Sequence, residues 1–391
     1  MRCGYHERGE CRSCTLMGTP HRAQLAAKEH RVRALVDRPG LAWLPAVAGP
    51  EDGFRNKAKM VVGGTVAAPT LGILDPDRHG VDLRECGILD PAIVAALPAL
   101  ARFVTRAGLV PYDVNARRGE LKHVITTAAP DGELMTRFVL RSTESLPRVR
   151  KHLPALLAEV PRLRVATANL LPAHAAVLEG EEEIALTEAT ELRMPVAGIA
   201  LRLPPRAFFQ TNTAIAAALY RQARAWADRA LRPEPADRAH RIWDLYCGIG
   251  GFALSLAEPG REVVGIETGA EAIRAATRAA AEAGIRATTF LAADATRWAR
   301  EQSAAPDLVV VNPPRRGLGD ELADWIEASG VPSVVYSSCN PDTLARDLAR
   351  MPSLRPREAR VFDMFPQTEH LEVMVLLERR QEFPDIAAAA G

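Results

Sequence analysis

The sequence predicts an α/β chain of two unlike parts: an N-terminal α+β part carrying a cluster of cysteines, followed by a Rossmann-like, doubly wound sheet. Three observations carry this. After Asp237 the chain falls into a repeated rhythm of apolar strand, turn and helix, the pattern of parallel crossovers. Before that point, alternating strand-like stretches mix with two long helical ones and show no internal repeat. Three of the six cysteines fall within the first fourteen residues. With 391 residues, 48% hydrophobic and 25% charged, the chain has ordinary globular composition and room for two or three domains.

Taken in order, Leu25, Val32, Leu35 and Val36 have helical spacing within 15–40, and Pro39-Gly40 ends that helix. Residues 59–62, 121–126 and 136–140 read as strands, and 91–107 and 146–159 as helices. The basic, proline-containing segment 232–241 is the connection into the second part. There, 241–246 is a strand, 247–251 a glycine-rich turn and 252–257 the start of a helix. A second strand, 262–267, leads to an alanine-rich helix over 270–284. Strands at 288–293 and 307–311 end in Asp294 and in Asn312-Pro313-Pro314. The buried run Ser333–Tyr336 ends in Ser337-Ser338-Cys339-Asn340-Pro341, and a last strand covers Val373 to Leu377. These elements divide the chain into a cysteine region (1–41 and around 86), an α+β domain (42–205) and a Rossmann-like catalytic domain (206–391).

The net charge of +1 conceals an asymmetry. Residues 1–150 carry 22 Lys+Arg against 16 Asp+Glu, and residues 241–391 carry 16 against 22. A basic front suits a phosphate backbone and an acidic back suits a cationic cofactor, although ordinary solvated surface gives the same counts. No apolar run reaches the roughly 18 residues of a membrane span, and residues 1–7 lack the apolar core of a signal peptide. The expected location is the cytoplasm, where six cysteines argue for ligands or chemistry rather than disulfides.

The turn Cys247-Gly248-Ile249-Gly250-Gly251 lacks the third glycine of a dinucleotide fingerprint at the usual spacing. Asp244 and Tyr246 precede it, Glu267 ends the second strand at a distance suited to ribose hydroxyls, and Asp294 and Asn312 end the next two. This conjunction favours S-adenosyl-L-methionine, a cationic sulfonium that needs no pyrophosphate cradle. Cys339 at a sheet's carboxyl edge is a possible nucleophile. If the target is C5 of uracil, that carbon is too weakly nucleophilic to take a methyl group unaided. A thiolate must first add to C6, and a base must later remove the C5 proton. Glu369, His370 and Glu372 are the available bases. Asn312-Pro313-Pro314 also occurs in enzymes that methylate exocyclic amines, but arginines follow it here, and such a reaction has no use for Cys339. Cys3, Cys11, Cys14 and Cys86 suit either zinc or an iron–sulfur cluster. Arg55, Lys57, Lys59, Arg117, Arg118 and Lys122 are candidate phosphate contacts.

Five motifs in this order resemble those of the S-adenosylmethionine-dependent RNA uracil-C5 methyltransferases, and the resemblance runs almost end to end. They are Phe208–Asn212, Asp244–Phe252, Asn312–Gly317, Ser338–Pro341, and Asp363–Thr368 leading to Glu372. The cysteines together with Gly53–Met60 and Arg117–Lys122 are most similar to the branch acting on uridine 747 of 23S ribosomal RNA. The resemblance implies that Gln210, Tyr246, Glu267 and Asn312 bind the methyl donor. It implies Cys339 as nucleophile, Glu372 as general base, and a 4Fe–4S cluster on Cys3, Cys11, Cys14 and Cys86. It also implies 23S ribosomal RNA as partner; a monomer is the expected state of the chain. Asn312 stands where many relatives have aspartate, and Gln367 where a histidine is usual. Another ribosomal or transfer RNA uridine, and a non-catalytic RNA-binding assembly factor, are the alternatives to this reading.

Overall fold

The computed structural model describes residues 1–175, 177–231 and 238–380. Residues 232–237 of the connection read from the sequence lie outside the described residues. After the short helix α1 (Gly4–Glu7), helix α2 (His21–Val36) and strand β1 (Ala42–Trp43) come two sheets in succession.

The first sheet holds β2 (Lys57–Gly64), β3 (Pro69–Leu74), β4 (Gly80–Asp82), β5 (Leu121–Ala128), β6 (Leu134–Leu140), β7 (Leu163–Leu170) and β8 (Glu182–Ala185). Its spatial order is β4-β3-β2-β5-β6-β7-β8. Neighbours are antiparallel except β6 and β7, because helix α4 (Leu146–Glu159) supplies the crossover that a parallel pair requires. Helix α3 (Pro91–Arg106) starts where the Asp90 side chain accepts the Ala92 amide at 2.8 Å, with proline in its first turn. Both helices cover one sheet face, where Ile93, Leu97, Leu100, Val149 and Leu156 meet Val62, Val124 and Phe138.

The second sheet contains β11 (His240–Leu245), β12 (Arg261–Glu267), β13 (Thr288–Ala292), β14 (Leu308–Val311), β15 (Ser333–Ser338), β16 (Leu354–Phe362) and β17 (Glu372–Arg379). Its order is β1-β16-β17-β15-β14-β11-β12-β13. Only β17 runs against its neighbours, a reversal not foreseen in the sequence. It follows from the short connection 363–371, too short for a crossover helix. Helices α5 (Thr213–Ala230), α6 (Gly251–Leu256) and α7 (Ala270–Glu282) cover one face together with the hairpin of β9 (Leu192–Val196) and β10 (Ile199–Leu203). The opposite face is covered by α2, α8 (Ala295–Arg300), α9 (Asp320–Ala328) and α10 (Pro341–Ala349). Thus α2 and β1 precede the first sheet in the chain but pack on the second. Strands buried on both faces explain the unbroken apolar run Leu308–Val311.

Candidate active site

The strand order reverses at β11 and β14, and in such a sheet the crevice outside the carboxyl ends of these strands is where ligands bind. Tyr246, Glu267, Asn312 and Cys339 all occupy that edge, one at the end of each of β11, β12, β14 and β15. The turn after β11 is sharply wound: Tyr246 has φ +67°, Gly248 +54° and Gly250 +84°. A Cβ on Gly251 would lie 2.1 Å from the Tyr220 hydroxyl oxygen, so only glycine lets α6 start against α5. Asp244, fully buried beneath the turn, accepts the Ala253 amide through Oδ2 at 2.8 Å, while its Oδ1 has no hydrogen-bond partner among the described residues. Burial pushes its pKa up to about 7, against the pull of that amide and with a further push from Glu267. Glu267 Oε1 accepts from Thr268 Oγ1 at 2.9 Å and from the Gly269 amide at 3.0 Å, which fixes the carboxylate at the strand end. A winding backbone turn, two carboxylates of one locality and no basic side chain among these residues fit a cationic donor such as S-adenosyl-L-methionine.

Gln210 comes from elsewhere in the chain, just before α5. Its carbonyl accepts Asn56 Nδ2 at 3.0 Å. Asn212 next to it caps α5 through the Ile215 amide and donates to the Met364 carbonyl at 3.3 Å. Gln210 therefore sits where the first sheet, α5 and the connection 363–371 converge. Phe208, 68% exposed, lies beside it.

Cys339 occupies the tight turn between β15 and α10. Ser338 Oγ accepts the Asn340 amide at 3.1 Å, and the Asn340 side chain accepts that of Asp342 at 3.2 Å. In the antiparallel register Ser338 faces Val373, so one further step brings Cys339 opposite Glu372. Of the three bases the sequence offered, Glu369 and His370 are exposed and Glu372 is buried. Its Oε1 accepts Ser337 Oγ at 2.7 Å and Asn312 Nδ2 at 3.4 Å, and Asn312 Nδ2 also donates to Ser337 Oγ at 3.0 Å. Burial pushes the carboxyl up to about 7, the two neutral donors draw it down, and no cation among the described residues acts on it. That value suits a group that must take and release a proton near neutrality. The Cys339 thiol is also raised, by burial first and by Glu372 second, while a backbone hydrogen bond and Arg315 pull it back.

Cys3, Cys11 and Cys14 are joined by Cys86, distant in sequence, in lining one pocket of about 450 Å³. Cys3 precedes α1, Cys11 and Cys14 follow it, and Cys86 lies between β4 and α3. Cys14 is pushed up to about 11 by burial and by the other three thiols. No three of these sulfurs lie within 4.8 Å of one another. A tetrahedral zinc with roughly 2.3 Å bonds draws its sulfurs to about 3.8 Å, whereas a cubane, with metal and sulfide between them, spreads its cysteines wider.

The tRNA (uracil-5-)-methyltransferase family matches residues 186–380. The chain is 46% identical over 381 residues to the 23S rRNA (uracil(747)-C(5))-methyltransferase of Cronobacter sakazakii, a match spanning 97% of this chain and all of the relative. It is 47% identical to the protein of the same name from Shewanella amazonensis, over 96% of this chain and 97% of that one. The chain belongs to the RNA uracil-C5 methyltransferase family. The family fold is also that of the Pyrococcus abyssi tRNA (uracil-54, C5)-methyltransferase solved with S-adenosyl-L-homocysteine. That structure matches with a TM-score of 0.75 at 24% identity, over 93% of this chain and 85% of that one.

Several features of this uracil-C5 methyltransferase family member were not visible in the sequence. Ser337 gives no motif signal beyond its neighbour Cys339, yet it joins Asn312 to Glu372. Gln367 is buried at φ +68° and bonded on all sides. The basic candidates divide. Lys59, Arg117 and Arg118 are exposed. Lys122, by contrast, is buried, donates to the Ala173 carbonyl at 2.6 Å and stacks on Tyr112. Arg55 donates to the Lys57 carbonyl at 3.1 Å and faces the thiols of Cys14 and Cys86. Burial, with Arg137 and Lys59 nearby, brings Lys57 down to about 8. Among the described residues no helix is long and apolar enough to cross a membrane.

Proposed function

We propose that this enzyme transfers a methyl group from S-adenosyl-L-methionine to C5 of a uridine in 23S ribosomal RNA, uridine 747, as the named relatives do. The observation that carries the chemistry is the pairing of Cys339 with a buried, cation-free Glu372 across β15 and β17. Cys339 Sγ bonds to C6 of the uracil, and the C5–C6 electron pair moves into the ring as an enolate. C5 then takes the methyl group from the sulfonium, which leaves as S-adenosyl-L-homocysteine. Glu372 removes the remaining C5 proton, C5=C6 re-forms, and the S–C6 bond breaks to free the thiolate. Tyr246, Glu267, Gln210 and Asn312 are the residues we assign to the donor.

We assign a 4Fe–4S cluster to the four cysteines, whose thiols line one pocket. Bound there, the cluster would supply a cross-link between the N-terminal segment and the loop before α3. The first sheet with α3 and α4 is the unit we assign to gripping RNA, through exposed groups such as Lys59, Arg117 and Arg118. A uridine in folded RNA must be swung out to meet Cys339. We assign the chain to the cytoplasm as a monomer.

The test is incubation of anaerobically purified protein with labelled S-adenosyl-L-methionine and unmodified 23S ribosomal RNA, followed by digestion and mapping by mass spectrometry. Label in 5-methyluridine at position 747 is expected. Label at another uridine overturns the substrate, and label on an adenine or guanine amine overturns the chemistry. Cys339→Ala should lose at least a thousandfold in turnover and all covalent capture by 5-fluorouridine RNA.

A further inference from the structure

The connection 363–371 touches both the cysteine pocket and the reaction site. Phe365, Thr368 and His370 form a wall of the pocket that Cys3, Cys11, Cys14 and Cys86 line, and the next residue after the connection is Glu372. The start and the middle of this segment are fastened to the N-terminal part, and its far end carries His370 in the pocket wall. Asp363, fully buried, binds Lys28 Nζ and His21 Nε2 at 2.6 Å each, and Lys28 also donates to the Phe365 carbonyl at 3.0 Å. At the centre, the Gln367 amide donates to Gln24 Oε1 at 2.9 Å and Gln24 Nε2 returns a bond to Gln367 Oε1 at 3.0 Å. Gln367 Nε2 donates to Glu51 Oε2 at 2.8 Å, an oxygen that also accepts the N-terminal amine at 3.1 Å. The Leu16 amide, just beyond Cys14, donates to the Gln367 carbonyl at 3.0 Å.

A glutamine at φ +68° occupies a region that non-glycine residues rarely adopt. Here the surrounding bonds over-determine it: backbone amide, carbonyl and both side-chain polar atoms are all engaged. The residue thereby holds the pocket's wall, the cysteine-bearing segment and the lead-in to β17 as one body.

We propose that the connection 363–371 transmits the state of the cysteine pocket to Glu372, with Gln367 as the positioning residue that pins it. This rests on the assignment of Glu372 as the base and of the cysteines as cluster ligands. A filled pocket fixes the wall and so fixes the start of β17. An empty pocket, or a cut pin, lets the lead-in move. Attack by Cys339 and methyl transfer depend on β14, β15 and Gln210, whose carbonyl is held by Asn56 rather than by the connection, and survive, whereas removal of the C5 proton slows and the methylated covalent adduct accumulates.

Two readouts test this. The first needs no activity: amide hydrogen exchange of residues 363–372 in the loaded protein and after removal of iron by a chelator. Stripping should raise exchange there at least tenfold and leave Leu308–Val311 unchanged, and in Gln367→Ala the loaded protein should already show the raised rate. Unchanged protection of 363–372 on stripping overturns the coupling, whether or not the assigned reaction is correct. The second separates the steps. In loaded Gln367→Ala, single-turnover methylation should stay within threefold of wild type while steady-state turnover falls at least tenfold and a methylated RNA–protein adduct builds up on denaturing gels. Equal loss of both steps overturns the positioning role. Gln24→Ala cuts the same pin from the α2 side and should reproduce both results, which keeps the test decisive if Gln367→Ala does not fold.

Discussion

Glu183 in the first sheet and Glu372 in the second are both buried carboxylates on strands, and their surroundings set them to opposite tasks. Burial alone would push Glu183 up. Arg137, itself 1% exposed, grips it through Nε at 2.9 Å and Nη2 at 2.5 Å, and with Thr167 and Asn169 it brings the carboxyl below its ordinary range. Glu179 bonds the same guanidinium. Glu372 has only the hydroxyl of Ser337 and the amide of Asn312, both neutral, and burial wins. A buried acid with a fork-shaped cation is a structural fastening, fixed in charge. One held by neutral donors is poised to exchange a proton, and its position at the ligand-binding edge of the sheet makes that exchange useful.

The sharpest way to break this contrast is to remove the cation from the first site. Arg137→Met leaves the buried Glu183 without its guanidinium, keeping only the neutral donors Thr167 and Asn169, and removing one member of a buried pair costs about 3–5 kcal/mol. The variant should show that loss in urea unfolding at pH 7. The sign of its pH dependence is also fixed. Because the folded-state pKa of Glu183 is depressed, its contribution to stability is present above the unfolded value near 4.3 and is lost as pH falls through the folded value. The penalty of Arg137→Met should therefore shrink below pH 4. A constant penalty across pH would mean that the guanidinium acts by packing alone.

The same contrast explains what could be read in the sequence. The second sheet was legible because strands buried on both faces give apolar runs and parallel crossovers give a rhythm, so Tyr246, Glu267, Asn312 and Cys339 could be placed at one edge from strand ends alone. The reversal of β17 was not legible, since Val373–Leu377 has the same apolar pattern in either direction. The first sheet was half legible. One face is charged and polar but buried, as at Arg137 and Asn169. Lys122 is a candidate phosphate contact by sequence alone, because its buried bond to Ala173 depends on a loop 51 residues away. Ser337 and Gln367 act through partners 35 and 343 residues away, and no local pattern encodes those meetings.

A second test acts on the other carboxylate. The folded-state pKa of Glu372 is raised, so its contribution to stability is fully present below the unfolded value near 4.3 and is lost as pH rises through about 7. Glu372→Gln keeps an acceptor for Ser337 and removes the cost of a buried charge. It should be more stable than wild type by about 2 kcal/mol at pH 8 and no more stable at pH 4, measured as urea midpoints at the two pH values. The same variant should take the methyl group but release RNA slowly. A variant less stable at pH 8 would show that the carboxylate is held by attraction, as Glu183 is, and the contrast between the sites would fail.

The smallest change is the most specific. Ser337 Oγ is the nearer of the two donors to Glu372, and a hydrogen bond to a charged acceptor contributes roughly 1.5–3 kcal/mol to holding that charge. Asn312 remains in Ser337→Ala, 3.4 Å from the same oxygen, and recovers part of the loss. The ionised form of Glu372 should become harder to reach, and the rise of turnover with pH, expected near 7 in wild type from the raised carboxyl, should move up by about one pH unit, equivalent to roughly 1.4 kcal/mol. Product release should carry that shift, and single-turnover methylation at pH 8 should stay within about threefold, because Cys339 is not bonded to Ser337. Asn312→Ala cannot serve in its place, since the donor-binding role assigned to Asn312 would change methylation as well. An ascending limb that stays where it was in Ser337→Ala would mean that another group titrates in that range. Asp244, raised by burial to about the same value but beneath the glycine turn, would be the first to examine.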